Sequence, residues 1–338
     1  MFLQKKALYN LIHLNLNRVH ESELEFHSLE PWQIENYRQF PTEDLFLRLN
    51  RLGITLNQIE FENYGKNYEI PEEMAETLAQ DREPLELDQI FLIVFELWRR
   101  LFPEKRSLSI FCDELDHQIM LYDLEEKLSS TPLQDALAYL QQILDEQVDE
   151  NIPPKEAFME IQTYCATDLE SFLFDYILTE IEMKNLTYAS ELLEGFYQYF
   201  IQPEWFNYLI ARVEIEKSPE EGYEQLEKMI STLGKDINLT LLEEILYFLA
   251  NSGNHTLFHA LATKIMPLLT EEGDFREFIE NCYAHYEYLE LQQPAEAIAQ
   301  IFFQRTHLPA EVPLNPQDPD LLALHTILNQ KLSFSIEN

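Results

Sequence analysis

Apolar residues recur along this chain at the three-and-four spacing of helix faces, and the expected elements follow one another closely. Phe2, Leu3, Leu8, Leu11, Ile12 and Leu16 predict a first helix over 2–16. Pro31 and Pro41 then punctuate the chain, and Thr42 opens a helix to residue 52. Glu43 and Asp44 occupy its first turn, where carboxylates suit the positive end of the helix dipole, and Gly53 is placed to cap its end. Pro71 starts the next helix, over 71–80, at a position that needs no N–H. The most apolar helix is expected over 86–102. There Leu87, Ile90, Phe91, Val94, Phe95 and Trp98 form a broad face, the predicted core of an N-terminal domain. Helices over 107–128 and 131–148 complete that domain. An acidic, proline-marked link at 149–154 is the expected boundary, giving a first domain of residues 1–150.

Beyond the link the pattern becomes regular. Four helix pairs are predicted over 168–200, 203–233, 238–269 and 274–305, with polar turns at 184–187, 217–219, 251–254 and 291–294. Aligning the second helices places Ala189, Gly222, Leu257 and Ala297 at equivalent positions, in steps of 33, 35 and 40 residues. Stacking explains such a period, because one pair cannot bury its apolar face alone. The predicted repeat domain is 155–306. Residues 307–338 follow as a connector with four prolines and an amphipathic helix over 320–332, expected to cap the stack.

In the second pair Phe206, Leu209, Val213, Gly222, Leu226 and Met229 run large, large, large, small, large, intermediate. That spacing resembles a tetratricopeptide repeat. Ile210 departs from it where the motif has Gly or Ala, as does Leu257 in the third pair. The resemblance implies a concave surface, lined by the first helices, that holds a peptide or a partner helix. In its register Glu204, Asn207, Ala211 and Glu214 face that surface. Tyr208 joins them as an anchor from the aromatic corner formed by Tyr197, Tyr199, Phe200, Trp205 and Phe206.

Composition narrows the chemistry. The chain carries a net charge of −38 yet is 46% hydrophobic, too apolar for disorder. Such a charge repels nucleic acid and anionic lipid, and one basic island (Arg99, Arg100, Lys105, Arg106) is too small for duplex binding. With seven glycines there is no phosphate-cradling loop, and neither GxGxxG, a P-loop nor GxSxG occurs. Cys112, Cys165 and Cys282 lie far apart without a CxxC pair, as expected of free thiols in a reducing compartment. The first residues lack the pattern of a secretory leader, and the densest apolar run, around Ile90 to Trp98, falls short of the ~18 residues of a membrane span. A soluble cytoplasmic protein is the expectation.

Two strings could hold a metal. Glu114 and His117 have the ExxH spacing that puts a carboxylate and an imidazole on one helix face, but no second ExxH exists to complete a di-iron site. His255 and His259 form HxxxH, with Thr256 where a metalloprotease needs its Glu. Plain surface and packing roles account for both strings. The sequence thus predicts an all-α protein, an irregular helical domain followed by a helix-pair solenoid. It predicts a scaffold, adaptor or chaperone that needs no cofactor and binds a basic or amphipathic segment of a protein, neither nucleic acid nor membrane. A metal-dependent enzyme built on those carboxylates and histidines is the alternative.

Overall fold

The computed structural model describes residues 30–105, 107–124, 131–232 and 238–329. The helix expected over 2–16 lies outside them, as do Arg106 and the last residues of the helices expected over 107–128 and 320–332. Among the described residues the protein is all-α, with sixteen α-helices, four short 3-10 turns and no strand. The chain divides into two compact units, Met1–Pro203 and Glu204–Asn338.

In the first unit α1 (Thr42–Arg51), α2 (Gln58–Gly65) and α3 (Pro71–Leu78) precede α4 (Pro84–Leu101). Gly53 ends α1 as expected: at φ +78° it lets Ile54 N–H reach back to Leu49 O and its own N–H to Asn50 O. The centre is α4, buried without a break from Ile90 to Trp98, with α1, α3 and the turn Tyr37–Gln39 packed on it. Fully burying each of its large side chains is worth about 1.5–3 kcal/mol, so α4 organises the unit. That run includes the carboxylate of Glu96, which takes two hydrogen bonds from Arg99 (2.6 and 2.9 Å) and one from Arg100 (2.6 Å). Arg100 also donates to the carbonyls of Tyr37, Arg38 and Phe40, fastening the N-terminal turn to the helix. Lys105 donates to Tyr68 O. Three of the four members of the basic island, Arg99, Arg100 and Lys105, thus have internal partners.

Then come α5 (Leu108–Leu124), α6 (Thr131–Asp149), α7 (Pro154–Gln162), α8 (Leu169–Glu182) and α9 (Leu186–Phe196), each packed on the next save α7 on α8. Residues 149–154 are a short turn inside this unit, with Asn151 at φ +70°. Buried Asp116 of α5 accepts from the N–H groups of Ala166 (2.7 Å) and Thr167 (3.0 Å), which anchors the loop before α8.

The second unit opens in α10 (Pro203–Lys217) and continues through α11 (Pro219–Thr232), α12 (Leu239–Ala250), α13 (His255–Ile265), α14 (Glu272–Tyr288), α15 (Gln292–Arg305) and α16 (Pro319–Leu328). With α8/α9 these are the four helix pairs read from the sequence. Gly222 brings α11 close to α10: a Cβ there would lie 2.3 Å from Ile215 N. Two successive pairs meet through their first helices, α12 against α14. The chain then returns along the head of α14, with Leu314 N–H bonded to Thr270 O and Glu272 N–H to Val312 O, both N–H groups donating. α16 lies on α13 and α15. Arg305 locks this return. Its guanidinium donates twice to buried Glu272 and also to Asp318 (3.0 Å) and Asp320 (2.8 Å).

Among the described residues no helix is long and apolar enough to cross a membrane.

Candidate functional site

A groove of about 730 Å³ opens in the second unit, between the first helices of successive pairs. Helical spacing builds both of its walls. On α12 the residues Leu241, Leu242, Ile245, Leu246 and Leu249 are buried, leaving Thr240, Glu243, Glu244 and Tyr247, at i, i+3, i+4 and i+7, to line the groove. On α14 the core takes Phe275, Phe278, Ile279, Cys282 and Tyr286. Gly273, Arg276, Glu277, Glu280 and Ala284 form the facing wall. Trp205 from α10 and Phe302 from α15 add apolar surface. Four carboxylates thus confront one guanidinium between aromatic walls.

Glu243 is the unusual member. It is 7% exposed, and its Oε1 is buried without a hydrogen-bond partner. Burial, followed by the nearby charges of Glu277 and Asp274, pushes its carboxyl up to about 7. Arg276 Nε is likewise buried without a partner. Both groups carry an unmet desolvation cost that a bound ligand could relieve. Tyr247, by contrast, is a large apolar ring left 61% exposed at the groove's edge.

The face of α10 that the repeat register assigned to a partner is narrower than expected. Tyr208 and Ala211 are fully buried, so neither can touch a partner; Glu204 is exposed, and Asn207 and Glu214 are half-buried. The reason lies one turn along: buried Arg212 donates to the Tyr208 hydroxyl (2.9 Å) and stacks 3.9 Å from the centre of the Phe248 ring, drawing that face inward. Trp205 is the α10 residue that reaches the groove.

The metal candidates have other company. Glu114 accepts from Arg38 (3.0 Å) and Gln118 (2.8 Å). Burial favours its protonated form, but these two donors outweigh it and hold the carboxyl below its usual range. His117 is half-buried, and burial, then Arg38, lowers its pKa. His255 Nδ1 lies 3.0 Å from Nε2 of buried His285, a residue the sequence reading did not single out. His285 Nδ1 faces Ala250 O at 3.3 Å. A carbonyl only accepts, so His285 Nδ1–H donates to it and its Nε2 accepts from His255. The His285 ring stacks 3.8 Å from Phe258, and burial pushes its pKa down to about 4. His259 lies one turn from His255, their ring centres 6.1 Å apart. Among the described residues no three His, Cys, Asp or Glu side chains are grouped to hold a metal ion.

No protein-family model matches this chain, and neither a curated protein nor a solved structure matches it. The functional reading rests on the groove itself.

Proposed function

We propose that the second unit is a non-enzymatic binding module that captures a basic peptide segment in the α12/α14 groove, as part of a scaffold, adaptor or chaperone. The observation that carries this reading is the make-up of one groove: four carboxylates against a single guanidinium, with Trp205, Tyr247 and Phe302 beside them. Trp and Tyr are enriched at binding hot spots, and carboxylates beside them would favour a basic ligand. The groove lies between first helices, where a tetratricopeptide-like stack holds its ligands. The junction of two helix pairs through α12 and α14 supports such a stack, and Gly222 at the close contact of α10 and α11 adds to that support. The net charge of −38 would speed the approach of a basic partner and disfavour nucleic acid. The three cysteines are unpaired, which suits a reducing compartment such as the cytoplasm.

The test is equilibrium binding of labelled basic peptides drawn from a random library, followed by fluorescence anisotropy. Trp205→Ala combined with Tyr247→Ala is expected to weaken binding at least tenfold. Raising salt from 50 to 500 mM is expected to slow association with little change in dissociation. Unchanged affinity in the double variant would remove the groove from the account.

A further inference from the structure

We infer that the groove is built around one organic cation, the ammonium of a lysine side chain, which binds Glu243 while Arg276 donates to a carbonyl of the same peptide. The inference deepens the peptide-capture reading and rests on it for the source of the ammonium.

An acidic cluster alone would specify no ligand, because solvated carboxylates need none. Glu243 differs from its neighbours. It is more than nine-tenths buried, it lines the groove, and its Oε1 has no hydrogen-bond partner. A buried acceptor without a donor is costly, and a cationic donor is the group that relieves it best. A metal ion is a poor candidate, since no three ligating side chains are grouped for one among the described residues. An ammonium needs fewer fixed partners. Its methylene stem also matches the apolar surface of Trp205 and Phe302, and aromatic faces attract the charge itself.

Arg276 supplies the second half. Its Nε–H is buried without an acceptor and lines the same groove. A further cation cannot satisfy it, but a main-chain carbonyl can. One lysyl residue therefore carries both missing partners, a donor for Glu243 and an acceptor for Arg276. A free polyamine carries only the first.

The experiment screens a positional-scanning hexapeptide library against the full chain. The best peptide is then compared with its norleucine and acetyl-lysine versions, and with spermidine. The expected result is a demand for lysine at one position. Loss of its charge, or Glu243→Gln in the protein, should then weaken binding about 10- to 100-fold. Glu277→Gln at the exposed rim should cost less than about threefold. Arg276→Met should weaken the peptide and leave spermidine bound at least as tightly as before. Circular dichroism checks that each variant is folded, and Gln at 243 keeps the shape of the side chain. Peptide binding that ignores both the lysine charge and Glu243→Gln overturns this inference and leaves peptide capture standing. Spermidine binding without any peptide binding overturns peptide capture and the role of Arg276 while leaving Glu243 as an ammonium site. Failure of every probe overturns both.

Discussion

The two units differ in how their most deeply buried charged groups are met, although Asp88 Oδ1 of the first unit is also buried without a hydrogen-bond partner. In the first, Glu96 is held by Arg99 and Arg100, Asp113 by Arg38, and Asp116 by two backbone N–H groups. Each of these buried carboxylates is met from within the unit. The second unit closes one such group, Glu272 on Arg305, and leaves Glu243 Oε1 and Arg276 Nε without partners in the groove and Arg212 Nε without one outside it. A buried polar atom without a partner is costly, and the groove is where two such atoms, Glu243 Oε1 and Arg276 Nε, line one cavity.

Three changes would break or sharpen that contrast. The largest effect should come from Arg305→Met, which strips the partner from buried Glu272 and from Asp318 and Asp320 together. A loss of about 3–5 kcal/mol in urea unfolding is expected, and hydrogen exchange over residues 308–328 should accelerate. An unchanged midpoint would show that the closed pair holds nothing. Arg100→Ala should cost less, about 2–3 kcal/mol, because Arg99 still serves Glu96; its mark is faster exchange at residues 37–42, where Arg100 ties down the carbonyls.

Glu243→Gln should act in the other direction. Its folded pKa, about 7, lies above the ordinary 4.5, so the folded state holds a proton that the unfolded chain has already released. The favourable contribution is complete below about 4.5 and is lost as pH rises through 7. The variant should match the parent at pH 4.5 and exceed it at pH 8 by at most about 3 kcal/mol, less by whatever solvent in the groove screens. His285 runs the opposite way. Its pKa is depressed to about 4 from 6.5, so its contribution is present above 6.5 and lost as pH falls through 4. Stability curves of the parent, Glu243→Gln and His285→Gln separate the two, and a Glu243→Gln curve parallel to the parent would deny the carboxyl its raised pKa.

Much of the helix order was legible because punctuation and period agreed. Pro71 and Thr131 begin their helices, Gly53 ends one, and the turns within the later pairs fall close to the predicted sites. The helix expected from residue 86 starts two residues earlier, at Pro84. Two helices escaped notice. In α2 Phe61 is buried but Ile59 is largely exposed, so the apolar period is weak; the remaining signal was the reciprocal cap between Asn57 and Glu60. Pro154, placed by its sequence context in the link, is the first residue of α7. The groove was half legible. Thr240, Glu243, Glu244 and Tyr247 share a helix face by spacing alone, as do Arg276, Glu277, Glu280 and Ala284. Spacing does not say that these two faces meet, and a polar face reads as solvated until its partner is in place. The same gap hid the burial of Tyr208 on α10, where the inward stacking of Arg212 on Phe248 joins residues 36 apart in sequence.

The most direct measurement is photo-crosslinking with a diazirine-bearing form of the best library peptide, with the insertion sites read by mass spectrometry. The account predicts label on Trp205, on α12 between residues 240 and 247, and on α14 between residues 273 and 284. Label concentrated on α11 or α13, or within residues 30–203, would contradict it.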